Sequence, residues 1–240
     1  YLDYIKLDKK QILRDSYHQI TTKQNADKKL TSEQMTALKN IEIAQHQGKQ
    51  KFLLYGVTGS GKTQIYIEMA LKARALGKQI LILVPEIVLT GQLVTSFKEY
   101  FTDDVAVIHS RLSVGERNDT FWRIRTKQIG IIIGARSALF APFEDLGLIV
   151  MDEEHDSSYK QDESPRYHSH DIIEKMVEIY HATLIMGSAT PSLESYYKAQ
   201  IGEYVLLKMP NRIDNLPLPY IEGVDMREEL RMGNRKIISL

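Results

Sequence analysis

The fold of this chain is decided by residues 51–63, whose sequence is KFLLYGVTGSGKT. Residues 51–55 form a short apolar run, and residues 56–63 match the pattern G-x-x-x-x-G-K-[ST]. In such a loop the backbone curls until its N–H groups converge on phosphate oxygens, and the start of the following helix favours negative charge. The segment therefore predicts a nucleotide site, the alternative being a glycine-rich turn without a ligand.

Two side chains at the end of this loop have specific roles in phosphate chemistry. The Lys62 ammonium is expected to reach the β- and γ-phosphates of a nucleoside triphosphate and to act in catalysis. The Thr63 hydroxyl is expected to bind Mg²⁺. The other loop residues predicted to bind the nucleotide are Gly56, Thr58, Gly59, Ser60 and Gly61.

Around this loop, short apolar runs alternate with helical patterns. The runs are continuously apolar more often than alternating, as expected for parallel strands covered on both faces. The predicted strands are residues 51–55, 79–84, 105–108, 129–133, 148–151 and 183–186, with 204–209 as a further candidate. This alternation predicts an α/β fold in which helices cover both faces of a mostly parallel sheet.

Capping residues and apolar spacing mark the predicted helices. Thr31 and Gln34 can form a capping box for a helix that runs to about residue 47. A second helix is predicted from Lys62 to Gly77, and Ser113-x-x-Glu116 is another capping box. A helix is also predicted where apolar residues recur three to four apart, at Ile172, Ile173, Met176, Val177 and Tyr180. The last helix is predicted to begin with Thr190 as N-cap and Pro191 at its first position.

An acidic run follows the apolar segment 148–151, in the order Asp152, Glu153, Glu154 and His155. An aspartate at the carboxyl end of a strand can hold Mg²⁺, and an adjacent glutamate can orient and deprotonate the attacking water. Asp152 and Glu153 are therefore predicted to be catalytic, with Asp152 also a metal ligand. The alternative is a solvated acidic loop, which a neighbouring phosphate loop makes a weaker interpretation.

Two further features leave alternatives open. The segment GSATP at residues 187–191 is either a turn with a helix cap or a sensor that links the nucleotide site to a bound polymer. Gln34 is either the third residue of its capping box or a ligand of the adenine edge, and both roles together are possible.

Composition limits the class of protein. The 240 residues carry a net charge of zero, are 43% hydrophobic and include no cysteine. Disulfides and cysteine-ligated zinc are thereby excluded from this chain, and a reducing cytoplasmic location fits. We expect no membrane association, because no apolar run approaches the ~18 residues that a spanning helix needs. With no overall positive charge, any nucleic acid must be held by a local site.

The order of these segments resembles the motifs of superfamily-two helicases. The residues within each segment resemble those of the primosomal replication-restart helicase family. The segments are Gln34, GVTGSGKT, LVPEIVLT (83–90), IGARSALFAPF (133–143), DEEH, GSATPS and DEEHDSSYKQDESPRYHSHD (152–171). The last resembles an aromatic-rich loop of that family. The resemblance implies a RecA-like P-loop NTPase lobe of an ATP- and Mg²⁺-dependent 3′→5′ DNA helicase, with single-stranded and forked DNA and other primosome and replication-restart proteins as partners.

The family also implies residue roles. His155, Ser188 and Thr190 would couple the nucleotide state to DNA, and the turn at 85–90 would touch the DNA backbone. The residues implied to bind DNA are Arg136, Ser137, Tyr159, Lys160, Arg166, Tyr167 and His168. Arginine and lysine pair with phosphates, and aromatic faces stack on unpaired bases, although a polar surface loop is the alternative.

The family further implies how the chain is divided. Residues 1–29 are expected to be a linker or a remnant of a preceding winged-helix DNA-binding domain. Residues 30–209 would be the first ATP-binding lobe, and residues 210–240 a connector toward a second lobe. A zinc region of the family would lie outside this cysteine-free chain, and the second lobe supplies an arginine finger. We therefore expect this chain alone to hydrolyse ATP negligibly and not to unwind DNA.

Several interpretations compete with this one. His155, His168 and His170 could suggest a metal site, but hydrogen-bonded histidines are the simpler interpretation. Trp122 is expected to pack in the core or at its rim. For the whole activity, the alternatives are another superfamily-two translocase, an RNA helicase, or a non-catalytic nucleotide-dependent assembly module.

Overall fold

The computed structural model describes residues 29–86, 91–213 and 224–231. The expectations for residues 1–28, for positions 87–90 of the LVPEIVLT segment and for most of the connector lie outside the described residues. Among the described residues, no helix is both long and apolar enough to cross a membrane.

Helices and strands alternate as the apolar pattern predicts. The helices are α1 (Ser32–His46), α2 (Lys62–Ala75), α3 (Gly91–Phe101), α4 (Val114–Arg125), α5 (Ser169–Tyr180), α6 (Leu193–Gln200) and α7 (Met226–Arg231). The strands are β1 (Lys51–Gly56), β2 (Gln79–Leu83), β3 (Val105–Ile108), β4 (Ile131–Gly134), β5 (Leu146–Asp152), β6 (Lys160–Gln161), β7 (Tyr167–His168), β8 (Thr183–Ser188) and β9 (Val205–Met209). Short 3₁₀ turns occupy Thr102–Asp104, Arg136–Phe140 and Ser157–Tyr159.

Seven strands form one sheet in the order β3-β4-β2-β5-β8-β1-β9. Every neighbouring pair in this sheet is parallel, as predicted. The strands β5, β8 and β1 are adjacent, so their carboxyl ends lie side by side. In open α/β sheets this edge is where ligands bind.

Each face of the sheet buries its own layer of apolar side chains. Because successive residues of a strand point to opposite faces, Phe52 and Leu54 pack into one layer and Leu53 into the other. Helices α1, α2 and α3 cover the first layer, and α4 and α5 contribute to the second. Burial on both faces explains why the strands are apolar throughout.

The predicted helix starts are confirmed at two capping boxes. The hydroxyl of Thr31 accepts the N–H of Gln34 while the Gln34 side chain accepts the N–H of Thr31. Ser113 and Glu116 are joined in the same reciprocal way at the start of α4.

The predicted start of α6 is wrong by two residues. Its N-cap is Ser192, whose side chain accepts the N–H of Ser195. Thr190 and Pro191 stay outside the helix because the N–H of Thr190 is donated to the Ser188 hydroxyl. The helix begins after Ser192, because the Ser192 hydroxyl caps its first turn.

Other boundaries differ for reasons of pairing. The strand predicted from residue 129 begins at Ile131, because the N–H of Gly130 is donated to the Asp104 carboxylate instead of a neighbouring strand. Helix α3 was not predicted, although its buried residues Leu93, Val94, Phe97 and Phe101 have helical spacing. Trp122 lies at the rim of the fold, with 43% of its surface exposed.

Candidate nucleotide site

The glycine-rich loop lies between β1 and α2, as the sequence predicts. Gly59 and Gly61 have φ angles of 79° and 85°, a left-handed conformation that glycine adopts without strain. A Cβ on Gly61 would also lie 2.4 Å from Nε2 of Gln34. Both the conformation and the space therefore require glycine at position 61.

The loop and the acidic run face one cavity. This cavity of about 560 Å³ is lined by Thr58–Thr63 of the loop, by Asp152 and Glu153, and by residues of α3. The common placement follows from the sheet order, because β1 and β5 are separated only by β8. The arrangement allows one cation to contact both a phosphate on the loop and the carboxylate of Asp152.

Two polar groups of the loop lack the partners that a phosphate would supply. The Lys62 ammonium is buried and donates to the carbonyl of Gly56 at 2.8 Å. The Ser60 hydroxyl is buried and has no hydrogen-bond partner among the described residues. Because buried polar groups are normally satisfied, these residues fit a bound triphosphate.

Asp152 ends β5 and is 9% exposed. Burial raises the pKa of Asp152 above that of an ordinary aspartate, although the hydroxyl of Tyr66 and the charge of Lys62 oppose the shift. A cation bound at this carboxylate would favour its ionised form further. With the Thr63 hydroxyl lining the same cavity, the residues fit a Mg²⁺ site of hydroxyl and carboxylate oxygens.

Glu153 adopts an unusual backbone conformation. Its φ angle is 45°, a left-handed value that costs a residue with a side chain about 1–3 kcal/mol. The strain turns the chain sharply after β5, so that Glu153 lines the cavity and its carboxylate lies 3.7 Å from Nδ1 of His155. Such outliers persist where the surrounding structure enforces them, as at functional sites.

The three residues implied to couple nucleotide state to DNA are in direct contact. Nδ1 of His155 lies 2.8 Å from the Ser188 hydroxyl, and Nε2 lies 3.3 Å from the Thr190 hydroxyl. Ser188 also accepts the N–H of Thr190 at 2.9 Å. The acidic run and the loop after β8 are therefore joined by hydrogen-bond contacts through His155.

The structure also shows how Gln34 is used. Its side chain is buried, accepts the N–H of Thr31 at 2.8 Å and donates to the carbonyl of Gly61 at 3.2 Å. Gln34 thus completes its capping box and braces the phosphate loop at the same time. Contact with an adenine ring stays a prediction.

Glu154 is a buried hub that no sequence pattern singled out. Its carboxylate accepts hydrogen bonds from the N–H and hydroxyl of Ser192, the hydroxyl of Ser195 and Nε2 of His170, at 2.7–3.0 Å. Burial alone would raise the pKa of Glu154, but these hydrogen bonds, His170 first, outweigh it and lower the pKa. The middle of the acidic run is therefore tied to α5 and α6.

The residues predicted to bind DNA form a neighbouring region. Strands β6 and β7 pair as a small antiparallel hairpin, which leaves Lys160 and Arg166 exposed and Tyr167 and His168 partly exposed. Together they line a cavity of about 450 Å³. Burial, followed by the charge of His170, lowers the pKa of His168. The lowered pKa favours the neutral ring, which can stack on a base but cannot pair with a phosphate as a cation.

Arg136 holds this hairpin through its backbone carbonyls and the Tyr167 ring. Its guanidinium donates to the carbonyls of Ser158, at 2.9 Å, and Lys160, and lies 5.8 Å from the centre of the Tyr167 ring. The Ser137 hydroxyl is buried without a partner among the described residues and lines an adjacent cavity of about 520 Å³.

Tyr159, which the family resemblance implies binds DNA, is buried in the structure. Its side chain is 1% exposed, so no face of the ring is open to a base. Its hydroxyl instead donates to the carbonyl of Asp152 at 2.6 Å. Tyr159 therefore holds the backbone of the acidic run in place through a buried hydrogen bond.

His155 lies apart from the other two histidines and has a different partner. His155 contacts the loop after β8, whereas His168 and His170 contact each other with their Nδ1 atoms 3.0 Å apart. The described residues include no group of three or more histidine, cysteine or acidic side chains with the geometry to hold a metal ion by themselves.

A parallel sheet with a phosphate loop and an acidic strand end in one cavity defines a RecA-like P-loop lobe. Residues 27–193 match the protein family described as "Type III restriction enzyme, res subunit", and the chain belongs to that family.

The chain is similar to several replication restart proteins. Replication restart protein PriA of Bacillus subtilis (strain 168) is 47% identical over 237 residues, covering 98% of this chain. The PriA proteins of Synechocystis sp. and Haemophilus influenzae are each 46% identical and cover 80% of this chain. The chain spans 29%, 24% and 26% of the lengths of these three relatives, respectively.

Solved helicase structures share the fold. RecG bound to a three-way DNA junction has a TM-score of 0.57 and 23% identity, covering 82% of this chain and 25% of that one. The Hef helicase domain of Pyrococcus furiosus has a TM-score of 0.51 and 21% identity, covering 77% of this chain and 40% of that one.

Proposed function

We propose that this chain is the first ATP-binding lobe of a 3′→5′ DNA helicase that acts in replication restart. One observation carries the proposal: the phosphate loop, Asp152–Glu153 and the His155–Ser188–Thr190 cluster adjoin along one edge of the sheet. The similarity to PriA proteins over nearly the whole chain supports replication restart as the setting. Such a role would place the protein in the cytoplasm.

The site's residues divide the work of hydrolysis. Lys62 and the loop amides would hold the triphosphate, while Thr63 and Asp152 would hold Mg²⁺, which supplies positive charge to the phosphoryl oxygens. Glu153 would orient the attacking water and accept its proton. His155, in contact with Ser188 and Thr190, would pass the change at the acidic run to the loop after β8.

The hairpin β6–β7 is proposed to contact single-stranded DNA. Exposed Lys160 and Arg166 can pair with phosphates, and the partly exposed ring of Tyr167 can stack on a base, worth ~1–3 kcal/mol per base. Other replication-restart and primosome proteins are the partners that such a role implies.

The test is ATP hydrolysis by the full-length protein with forked DNA, single-stranded DNA and RNA, each at the same stated salt concentration. We expect forked and single-stranded DNA to stimulate hydrolysis and RNA not to. Stimulation by RNA alone would instead indicate an RNA helicase. Stimulation by intact duplex alone would indicate a translocase of the kind that the matched family's name suggests.

A substitution separates a motor from a non-catalytic assembly module. Glu153→Gln should abolish turnover and keep nucleotide binding, whereas unchanged function would support the module. Glu178→Gln is the matched control, because Glu178 is an exposed glutamate that pairs with Lys175 at the surface.

The 240-residue chain alone is proposed to bind Mg-nucleotide weakly and to hydrolyse it negligibly. An arginine finger from a second lobe is worth ~10³–10⁵ in rate, or about 4–7 kcal/mol. Strong DNA-stimulated hydrolysis by this chain as a monomer would contradict that expectation.

A further inference from the structure

A tyrosine of the helix behind the phosphate loop reaches the metal-binding carboxylate. Tyr66 lies on α2 and is completely buried, and its hydroxyl donates to Oδ1 of Asp152 at 2.8 Å. A buried phenol hydroxyl needs a partner, and here that partner is the acid predicted to hold Mg²⁺. The interaction joins residues 86 positions apart.

The space for this hydroxyl exists because position 187 carries no side chain. A Cβ on Gly187 would lie 1.7 Å from the Tyr66 hydroxyl oxygen and 3.4 Å from Oδ1 of Asp152. Gly187 and Asp152 are direct partners in the β5–β8 pairing. The contact is therefore built from three elements, namely α2, β5 and β8.

The contact also links two parts of the nucleotide site. Tyr66 follows Lys62 by four residues, one turn along the same helix, so both project from the same side of α2. Lys62 faces the phosphates, and Tyr66 holds the carboxylate on the neighbouring strand. Burial, and then the charge of Asp152, raise the pKa of Tyr66 well above that of a free tyrosine, so its hydroxyl stays a donor.

From this geometry we infer that Tyr66 is a positioning residue that orients the Asp152 carboxylate toward the divalent cation of a bound nucleotide. The inference rests on the proposed nucleotide site and extends it to a residue outside the loop and the acidic run. Partners that orient a metal ligand typically change metal affinity 10–100-fold when they are removed. We therefore expect the hydroxyl of Tyr66 to be worth about tenfold in Mg²⁺ affinity.

The experiment measures binding of a fluorescent ADP analogue to the 240-residue chain over a range of Mg²⁺ concentrations and in EDTA. Tyr66→Phe keeps the buried ring and removes the hydroxyl alone. Its affinity in EDTA should match that of the parent chain within about twofold, while the Mg²⁺ concentration for half-maximal enhancement should rise about tenfold.

Tyr204→Phe is the matched control. The Tyr204 hydroxyl also donates to a carboxylate, that of Glu174, but neither residue lines the nucleotide cavity. This variant should leave the Mg²⁺ dependence unchanged. Gly187→Ala approaches the same hydroxyl from β8 and should reproduce the effect of Tyr66→Phe if the variant folds.

The outcomes separate the inference from the proposed function. An unchanged Mg²⁺ dependence in Tyr66→Phe overturns the inference, and so does an equal loss of affinity in EDTA and in Mg²⁺, which would indicate a structural role alone. If the parent chain binds no nucleotide under any condition, the proposed function fails and the inference fails with it.

Discussion

Replacing Glu154 with alanine should destabilise the fold strongly, although Glu154 is not predicted to contact nucleotide or DNA. The carboxylate is 0% exposed and accepts four hydrogen bonds, from Ser192 twice, Ser195 and His170. Alanine would leave one buried donor, on Ser195, and three part-buried donors, on Ser192 and His170, without this acceptor. It would also remove the partner that satisfies the N–H at the start of α6.

The expected loss follows from the hydrogen bonds that the buried carboxylate accepts. Removing a buried charged acceptor from such a network costs about 3–5 kcal/mol, because the donors left behind keep their desolvation penalty. For a domain of this size each kcal/mol lowers Tm by about 2–4 °C. The variant should therefore melt roughly 6–20 °C below the parent chain.

Thermal unfolding followed by circular dichroism measures this loss. Glu178→Ala is the control, because its exposed ion pair with Lys175 should be worth less than about 1 kcal/mol. A Glu154→Ala variant that melts within about 2 °C of the parent would refute the claim that the hydrogen bonds to Glu154 stabilise the fold.

The pH dependence gives a second check with a defined sign. Because the folded-state pKa of Glu154 is lowered, its contribution is present above the unfolded value of 4.5 and is lost as pH falls through the folded value. The stability gap between parent and Glu154→Ala in urea unfolding should therefore be full near neutral pH and narrow below about pH 4.5. A gap that widens on acidification would show the opposite linkage.

Three further predictions test the site. Asp152→Asn removes a buried charge whose pKa is raised by burial, so Tm near neutral pH should hold or rise while the Mg²⁺ dependence of nucleotide binding is lost; a fall of several degrees would contradict this. Gly61→Ala should lose nucleotide binding and more than about 1 kcal/mol of stability, because φ is 85° and the new Cβ would meet Gln34; a urea-unfolding midpoint like the parent's would argue otherwise. Tyr167→Ala should weaken single-stranded DNA affinity about fivefold or more by fluorescence anisotropy, whereas Tyr167→Phe, which keeps the ring, should leave it nearly unchanged; equal losses in the two variants would contradict stacking by Tyr167.

The features that could be predicted from sequence are those with short-range signals. The phosphate loop, the capping boxes at Thr31 and Ser113 and the apolar strands each depend on residues within a few positions of one another. The signal for α3 is equally local, because its apolar residues Leu93 and Phe97 lie four positions apart, which is the spacing of one helix face. Local patterns also placed Asp152 correctly at the end of a strand.

Contacts between distant residues were beyond such patterns. Glu154 appears in the sequence as one more residue of an acidic run, and nothing there indicates that Ser192 and His170 converge on it. The true start of α6 depends on that convergence. Tyr159 has the residue type of a base-stacking group, and nothing in the sequence indicates that its ring is buried.

The sequence by itself determined that this chain has a glycine-rich loop of phosphate-binding pattern, an acid at the end of a strand and a parallel sheet, because each depends on the spacing of nearby residues along the chain. Only the tertiary structure decided which side chains brace these parts. The order of β5, β8 and β1 brings Asp152 beside Gly187 and opens the space that Tyr66 enters from α2. Such a contact depends on three elements packing together, and no single segment of sequence specifies it.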